Sequence, residues 1–190
     1  MLGEVCEIYD GTHRTPKYTT SGIKFVSVEN INNLYASNKF ITQEAYKEYV
    51  NKKAEIGDIL MTRIGSIGEC AVITTNEDLA YYVSLALLKP NKNKVLGGFL
   101  KHYIESAGGK RELGFKIIHS AVPIKINKGN IGKIQIPIPP LETQIKIVSI
   151  LDKFHALTTD LTSGIPAEIE ARKKQYEYYR NQLLTFKEAI

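Results

Sequence analysis

The chain has 190 residues, a pI near 9.0, a formal net charge of +5 and 43% hydrophobic residues, which is enough for one sizeable folded core. Its apolar runs are far shorter than the roughly 20 residues of a membrane span, and residues 1–10 lack a secretory signal pattern, so we expect a cytoplasmic protein without a membrane segment. Cys6 and Cys70 lack metal-ligand spacing, which favours reduced thiols over a disulfide or zinc framework.

Short apolar runs between turn residues predict an α/β or α+β domain with mixed β-structure over residues 1–140. Residues 22–28 alternate like a half-buried strand, and their inward set is Ile23, Phe25 or Val26, and Val28. Two further strands, 56–61 and 70–74, are expected on either side of a glycine-bounded turn at 65–68.

Three more elements complete this first segment. Residues 80–88 predict one buried strand, and residues 98–106 predict a short amphipathic helix that ends at Gly108 and Gly109. Residues 131–140 alternate and then stop at prolines, which is typical of an edge strand followed by a rigid exit. We therefore place the domain boundary at Pro140.

Residues 141–190 form the second predicted region, and their apolar positions change to helical spacing. The first helix carries Glu142 in its first turn, where the helix dipole favours an anion. Its predicted apolar stripe is Leu141, Ile145, Val148, Leu151, Phe154, Leu157 and Leu161. Residues 162–164 break this helix, Ser163 or Gly164 can cap the next one, and Pro166 suits its first turn.

The second helix contains a heptad pattern with spacings 4-3-4-3-4-3, which predicts a coiled-coil seam of roughly 31 Å. Arg172 in that seam either fixes the register or packs its stem while its guanidinium reaches solvent. The seam positions are Ile165, Ile169, Arg172, Tyr176, Tyr179, Leu183 and Phe186.

The excess of positive over negative charge is confined to the first segment. Residues 1–140 carry 18 Lys and Arg against 13 Asp and Glu, whereas residues 141–190 carry 7 of each. An excess of this kind is compatible with nucleic acid binding, because cations displace the counterions condensed on phosphates, although many basic proteins bind no nucleic acid.

Motifs for independent catalysis are missing. There is no GxGxxG and no GxxxxGK[ST] phosphate loop, and the GSIG at 65–68 resembles a KH loop but is flanked by predicted strands. Pro139-Pro140 lacks the preceding acidic or asparagine residue and the following aromatic residue that a DNA methyltransferase needs to hold a flipped base. No metal-binding pair occurs among the four histidines, His13, His102, His119 and His155. Of these, His102 and His155 are expected at the surface or at helix-capping positions.

Residues 137–186, PIPPLETQIKIVSILDKFHALTTDLTSGIPAEIEARKKQYEYYRNQLLTF, closely resemble the conserved region of specificity (S) subunits of type I restriction-modification systems. Residues 10–31, 55–73 and 119–140 also resemble the target recognition domain of that family. A standard S subunit has two recognition domains and two conserved helical regions, whereas this chain has one of each and so resembles a half-subunit.

The resemblance implies a non-catalytic subunit without a cofactor of its own. Its first domain, 1–140, would read a half-site of double-stranded DNA, while the helical region, 141–190, would act as a spacer and dock methyltransferase (M) subunits that carry S-adenosylmethionine, together with restriction (R) subunits. Two copies that pack their C-terminal helices as an antiparallel coiled coil would form a homodimer on a bipartite, palindromic site. The alternatives are a recognition subunit for a fused methylase-nuclease, or an inactive or regulatory fragment that binds partners through its helices.

The candidate DNA contacts lie in three places. Arg14, in a loop stiffened by Pro16, has the donors to bridge guanine O6 and N7, although the loop is also compatible with a merely solvated surface. The full candidate set is Thr12, His13, Arg14, Lys17 and Tyr18 in this loop, Arg63 and Ser66 at the GSIG turn, and Lys116, His119 and Lys125 beyond it.

Overall fold

The computed structural model describes residues 1–159 and 166–186. The strands in these ranges are β1 (Cys6–Asp10), β2 (Ile23–Val26), β3 (Phe40–Ile41), β4 (Ile59–Ile64), β5 (Ser66–Val72), β6 (Leu79–Tyr81) and β7 (Leu85–Pro90). The α-helices are α1 (Gln43–Tyr49), α2 (Gly97–Glu105), α3 (Ala107–Gly114), α4 (Lys128–Gly132), α5 (Leu141–Thr159) and α6 (Pro166–Leu183). This is the mixed α+β architecture that the sequence predicts.

Two sheets form the centre of the fold. The four-stranded sheet has the order β1-β7-β4-β5 and is antiparallel throughout. The three-stranded sheet has the order β3-β2-β6, in which β2 runs antiparallel to β3 and parallel to β6. The predicted pair of strands around the GSIG segment is confirmed as β4 and β5, and the chain reverses at Gly65, whose φ of +79° suits glycine.

The four-stranded sheet separates two cores because successive side chains on a strand point to opposite faces. Ile59 and Met61 of β4 face the helices, where they pack with residues such as Phe99, Leu100 and Ile131. Leu60 of β4 faces the three-stranded sheet and packs with a second set that includes Val26, Leu79 and Leu87. A third, smaller cluster joins the three-stranded sheet to α1 through Phe25, Ile41, Tyr46 and Ala80. Burial on both faces explains why β4 and β7 each begin with a continuous apolar run, Ile59–Met61 and Leu85–Leu88.

Three predicted elements differ from the structure. Residues 80–88 are not one strand but the end of β6 and the start of β7, in different sheets, with a turn between them in which the Leu85 amide donates to the Tyr82 carbonyl at 2.8 Å. Gly108 and Gly109 do not end a helix but lie in the first turn of α3, where Ser106 is the N-cap. A Cβ at Gly109 would overlap the carbonyl oxygens of Tyr103 and Ile104, so this position requires glycine.

The third difference is the segment before the boundary. Residues 131–140 form the end of α4 and an irregular stretch rather than an edge strand. Ile131 and Ile134 are nevertheless buried, and the Ile134 carbonyl accepts from the Leu2 amide at 2.9 Å. Pro137, Pro139 and Pro140 have no amide donor, which leaves this stretch poorly suited to a strand ladder.

The buried face of α5 is also rotated from the predicted stripe. Ile145 is 56% exposed, while Gln144, Ile147 and Leu151 are buried against the helical side of the core. Leu161 and the predicted helix break at 162–164 lie outside the described residues, and so does Ile165. Because α5 and the end of α6 share the core of the strands, the division into 1–140 and 141–190 stays a prediction.

His102, in the last turn of α2, joins α5 to the core and is buried, which contradicts the surface position that was one of its two expected roles. Its imidazole is 2% exposed, and Nε2 lies 2.7 Å from Oδ1 of Asp152. Burial lowers the pKa of His102 despite this carboxylate, which favours the neutral ring, and in either protonation state Nε2 donates to the Asp152 carboxylate because a carboxylate can only accept. None of the helices within the described ranges is long and apolar enough to cross a membrane.

Candidate nucleic-acid interface

Three loops meet at one end of the four-stranded sheet. Asp10, at the end of β1, pairs with Ala86 near the start of β7, and Thr62, near the end of β4, pairs with Leu85 at that start. The segments that follow β1 and β4 and the segment that precedes β7 therefore lie at the same end of the four-stranded sheet. The sequence places predicted DNA contacts in two of these segments, and the strand register brings them together.

Arg63 connects the loops from inside the protein. The residue is 7% exposed, its Nη1 donates to the Asp10 carboxylate, and its Nε donates to the Ile126 carbonyl at 3.2 Å. Its backbone amide donates to the Ser84 carbonyl at 2.9 Å. This burial contradicts the expectation that Arg63 faces DNA, because its guanidinium is already bound within the chain. Arg63 instead holds four segments in fixed positions.

The loop after β1 is anchored by its backbone. The Thr12 amide donates to the Tyr81 carbonyl at 3.0 Å, and the Val83 amide donates to the Thr12 carbonyl at 2.9 Å. A Cβ at Gly11 would overlap the Tyr82 carbonyl oxygen, so glycine permits this close approach. Burial raises the pKa of the neighbouring Tyr81 phenol, which donates to the Lys52 carbonyl at 2.7 Å.

Some side chains of this loop contact the rest of the domain, and others are exposed. Arg14 is bound to the Glu48 carboxylate and lies over the Tyr49 ring at 5.5 Å, so its charge is partly neutralised. Tyr18 is 44% exposed and packs edge-on against Phe25 with ring centroids 5.7 Å apart. His13 and Lys17 are exposed, and Pro16 is buried and holds the loop against the domain.

The GSIG turn and the segment beyond α3 form one continuous surface. The Gly65 amide donates to the Ile124 carbonyl at 2.9 Å, and the Ile126 amide donates to the Arg63 carbonyl at 3.0 Å. The second and third groups of predicted contacts are therefore neighbours. Of these residues, Ser66, His119 and Lys125 are exposed, and Lys116 is partly buried.

The predicted lysine contacts at this end lack acidic partners in the described part of the chain. Within the described ranges no ion pair joins Lys17, Lys116 or Lys125 to a carboxylate, whereas both arginines are matched by one. The partners Asp10 and Glu48 were not predicted from the sequence. The sequence therefore did not show that the two arginines are paired with carboxylates while the three lysines are not. No three His, Cys, Asp or Glu side chains in the described part of the chain are grouped to hold a metal ion.

α6 ends at Leu183, so the predicted seam position Phe186 lies beyond the helix, and the contacts of the described seam residues are largely made by the same chain. Tyr179 stacks on Phe154 of α5 with centroids 5.5 Å apart, and Phe186 packs against Phe99 at 6.3 Å. Tyr176 and Leu183 pack against the helical side of the core. Arg172 is exposed and pairs with Glu168 one turn away at 2.7 Å. Ile165 and the side chain of Ile169 are outside the described residues, so a coiled coil with a second copy stays a prediction.

A family model described as the type I restriction modification DNA specificity domain matches residues 1–171. A type I restriction enzyme specificity subunit of Escherichia coli is 30% identical over 97% of this chain and 47% of its own length. The MpnII specificity subunit of Mycoplasma pneumoniae is 38% identical over 53% of this chain and 29% of its length. The chain thus spans about half or less of these two relatives.

Solved structures show the same fold. The HsdS subunit of Thermoanaerobacter tengcongensis superimposes with a TM-score of 0.64 at 22% identity, over 96% of this chain and 43% of that one. A chain from a structure on the assembly and conformational transition of a type I restriction-modification system gives a TM-score of 0.66, also at 22% identity, over 96% of this chain and 44% of that one. With the family match to residues 1–171, these observations show that the chain belongs to the family of type I restriction-modification DNA specificity domains.

Proposed function

We propose that this chain is a non-catalytic subunit that gives a type I restriction-modification complex its DNA sequence specificity. The observation that carries the proposal is that Arg63 joins the loop after β1 to the segment near Ile126 at one end of the four-stranded sheet (the loop surface), and that Lys17, Lys116 and Lys125 of these segments have no carboxylate partners in the described residues. Such cations can neutralise phosphates, while loops fixed by Arg63 can present side chains to base edges in a constant geometry.

The helices are proposed to supply spacing and assembly. α5 is anchored near the end of β7 opposite the loop surface, through Gln144, which bonds to Lys94 and Leu96. Exposed apolar side chains on the helical pair include Ile145 of α5 and Tyr178 of α6, which are 56% and 60% exposed. We infer that this outer surface, rather than the occupied part of the seam, meets methyltransferase subunits and a second copy.

The chemistry is proposed to reside in those partners. Methyltransferase subunits would bind S-adenosylmethionine and carry out the methyl transfer, and restriction subunits would join the same complex. Two copies of this chain would supply two recognition surfaces related by a two-fold axis, so the complex would recognise a bipartite palindrome. The same surface on one copy alone would contact only a half-site.

The proposal is tested by methylation sequencing of cells that express the partner methyltransferase with or without this chain. We expect a new methylated motif only when both are present, and we expect its two halves to be inverted repeats. A motif that is identical without this chain, or no motif at all, would contradict the proposed function. An asymmetric motif would contradict the homodimer but not DNA recognition.

Charge-to-alanine variants test the location of the surface. Lys17→Ala and Lys125→Ala are each expected to weaken binding of the assembled complex to all sequences and to reduce the salt slope of log K by about 1, because each removes a phosphate contact. Binding is measured by fluorescence anisotropy on a labelled duplex at several salt concentrations. Lys94→Ala is the matched control, since this exposed lysine lies beyond the opposite end of β7. If all three variants respond alike, the surface is misplaced.

A further inference from the structure

One side chain of the loop surface is apolar and fully exposed. Val122 is 100% exposed, and its neighbour Ile124 is 37% exposed. Both lie in the segment that carries His119 and Lys125, where the other exposed side chains are polar or charged apart from Pro123. A single exposed valine is common on protein surfaces. In a loop that is proposed to lie on DNA, however, the apolar groups that such a valine can contact are few.

The loop that carries Val122 is held at both ends. The Ile118 amide donates to the Lys125 carbonyl at 2.8 Å, and Ile124 is tied to Gly65 by the 2.9 Å bond at the β4–β5 turn. Valine is also stiff at χ1, because it is branched at Cβ. Little conformational entropy would therefore be lost when Val122 packs against a partner.

DNA offers an aliphatic side chain one specific apolar partner in the major groove. Phosphates and the hydrogen-bonding groups of base edges do not favour valine, whereas the C5-methyl group of thymine projects into the major groove. The minor-groove edges of the base pairs carry no such methyl group. Insertion between base pairs is less suited to valine, because wedge residues are mostly longer and larger.

We propose that Val122 is a specificity-determining residue that packs against a thymine methyl group in the major groove and so selects an A·T pair at one position of the half-site. Lys125, which is bonded through its backbone to Ile118, holds the loop near the phosphates on the same side. This inference rests on the proposed function, because it requires the loop surface to lie on DNA.

The test uses the assembled complex and duplexes that contain the motif found by methylation sequencing. Each thymine of the motif is replaced in turn by uracil, which removes only the methyl group. At one position of each half-site we expect wild-type binding to weaken about fourfold, the factor that corresponds to about 0.8 kcal/mol for one buried methyl group. The same replacement should leave Val122→Ser unaffected, since that variant has already lost the contact.

Ile56→Ser is the matched control, because Ile56 is 44% exposed before β4, at the opposite end of the sheet. It should respond to uracil as the wild type does. If no uracil replacement distinguishes Val122→Ser from the wild type, or if the motif contains no fixed A·T pair, the inference is wrong while the proposed function stands. If the wild type produces no motif, the proposed function fails and this inference falls with it.

Discussion

An Arg63→Met variant is expected to lower the free energy of unfolding by about 3 kcal/mol and to abolish sequence-specific methylation by the assembled complex. The side chain of Arg63 is 8% exposed, and it binds the Asp10 carboxylate and the Ile126 carbonyl. Removal of one partner from a buried ion pair costs about 3–5 kcal/mol, and we take the lower end because the Asp10 side chain is 35% exposed. Urea unfolding followed by circular dichroism measures the change.

The loss of methylation should exceed what the loss of stability explains. Without Arg63, the loop after β1 and the segment near Ile126 lose their common attachment, so their positions relative to each other are no longer fixed. At a temperature where the variant is still folded, we therefore expect the partner methyltransferase to methylate the motif no more than it does without this chain.

Two variants separate this effect from a general effect of losing an arginine. Arg14→Met removes a comparable ion pair, but Arg14 and Glu48 are 64% and 57% exposed, so the cost should be within about 1 kcal/mol. A double variant, Asp10→Asn with Arg63→Met, should recover part of the lost stability, because it leaves no unpaired carboxylate. Equal destabilisation by Arg14→Met and Arg63→Met would contradict the structural role of Arg63.

The alternation of side chains could have predicted the burial of Arg63. Ile59, Met61 and Arg63 follow one another at a spacing of two, and the first two face the helical core. A charged arginine suggested a solvent-exposed contact, but the two-residue alternation along β4 places the Arg63 side chain on the same, inward face as Ile59 and Met61. Its partner Asp10 is 53 residues away, and sequence separation of that size is resolved only by the strand register.

Local signals predicted local structure best. The strands on either side of Gly65 and the helix that begins at Leu141 follow from turn residues, apolar spacing and prolines within a few residues. The division of residues 80–88 could not be predicted in this way, because β6 and β7 are both buried and the apolar stretch that joins them is interrupted only by Ser84. Only the partner strands show that Leu79–Tyr81 and Leu85–Pro90 belong to different sheets.

The helical seam illustrates a limit of periodicity. The heptad spacing indicates that one face of α6 needs an apolar partner, but it does not identify that partner. In the structure Phe154 and Phe99 of the same chain contact Tyr179 and Phe186 of the seam. Substitutions at Tyr176 and Leu183 that were meant to disrupt a dimer would therefore also disturb the monomer core, and Tyr178 on the outer surface is the better site for such a test.

A Gln144→Met variant is also expected to lower the free energy of unfolding by about 3 kcal/mol, as measured by urea unfolding. The Gln144 side chain is fully buried and makes three hydrogen bonds to the backbone: Oε1 accepts from the Leu96 amide at 2.9 Å, and Nε2 donates to the Lys94 and Pro139 carbonyls at 2.9 and 2.8 Å. Methionine has a similar size but leaves these backbone groups without a partner, at about 1–3 kcal/mol for each group that stays buried.

Gln175→Met is the control, because Gln175 lies exposed on α6 and its replacement should change stability by less than about 0.5 kcal/mol. Equal urea midpoints for the two variants would contradict the role of Gln144.

The position of Gln144 also predicts an effect on methylation. Gln144 fixes the start of α5 near the end of β7, roughly 17 Å along that strand from the loop surface at a rise of about 3.4 Å per residue. If the helices set the distance between two half-sites, Gln144→Met should reduce methylation of the bipartite motif at temperatures where it is still folded, and duplexes with altered spacers should become relatively better substrates.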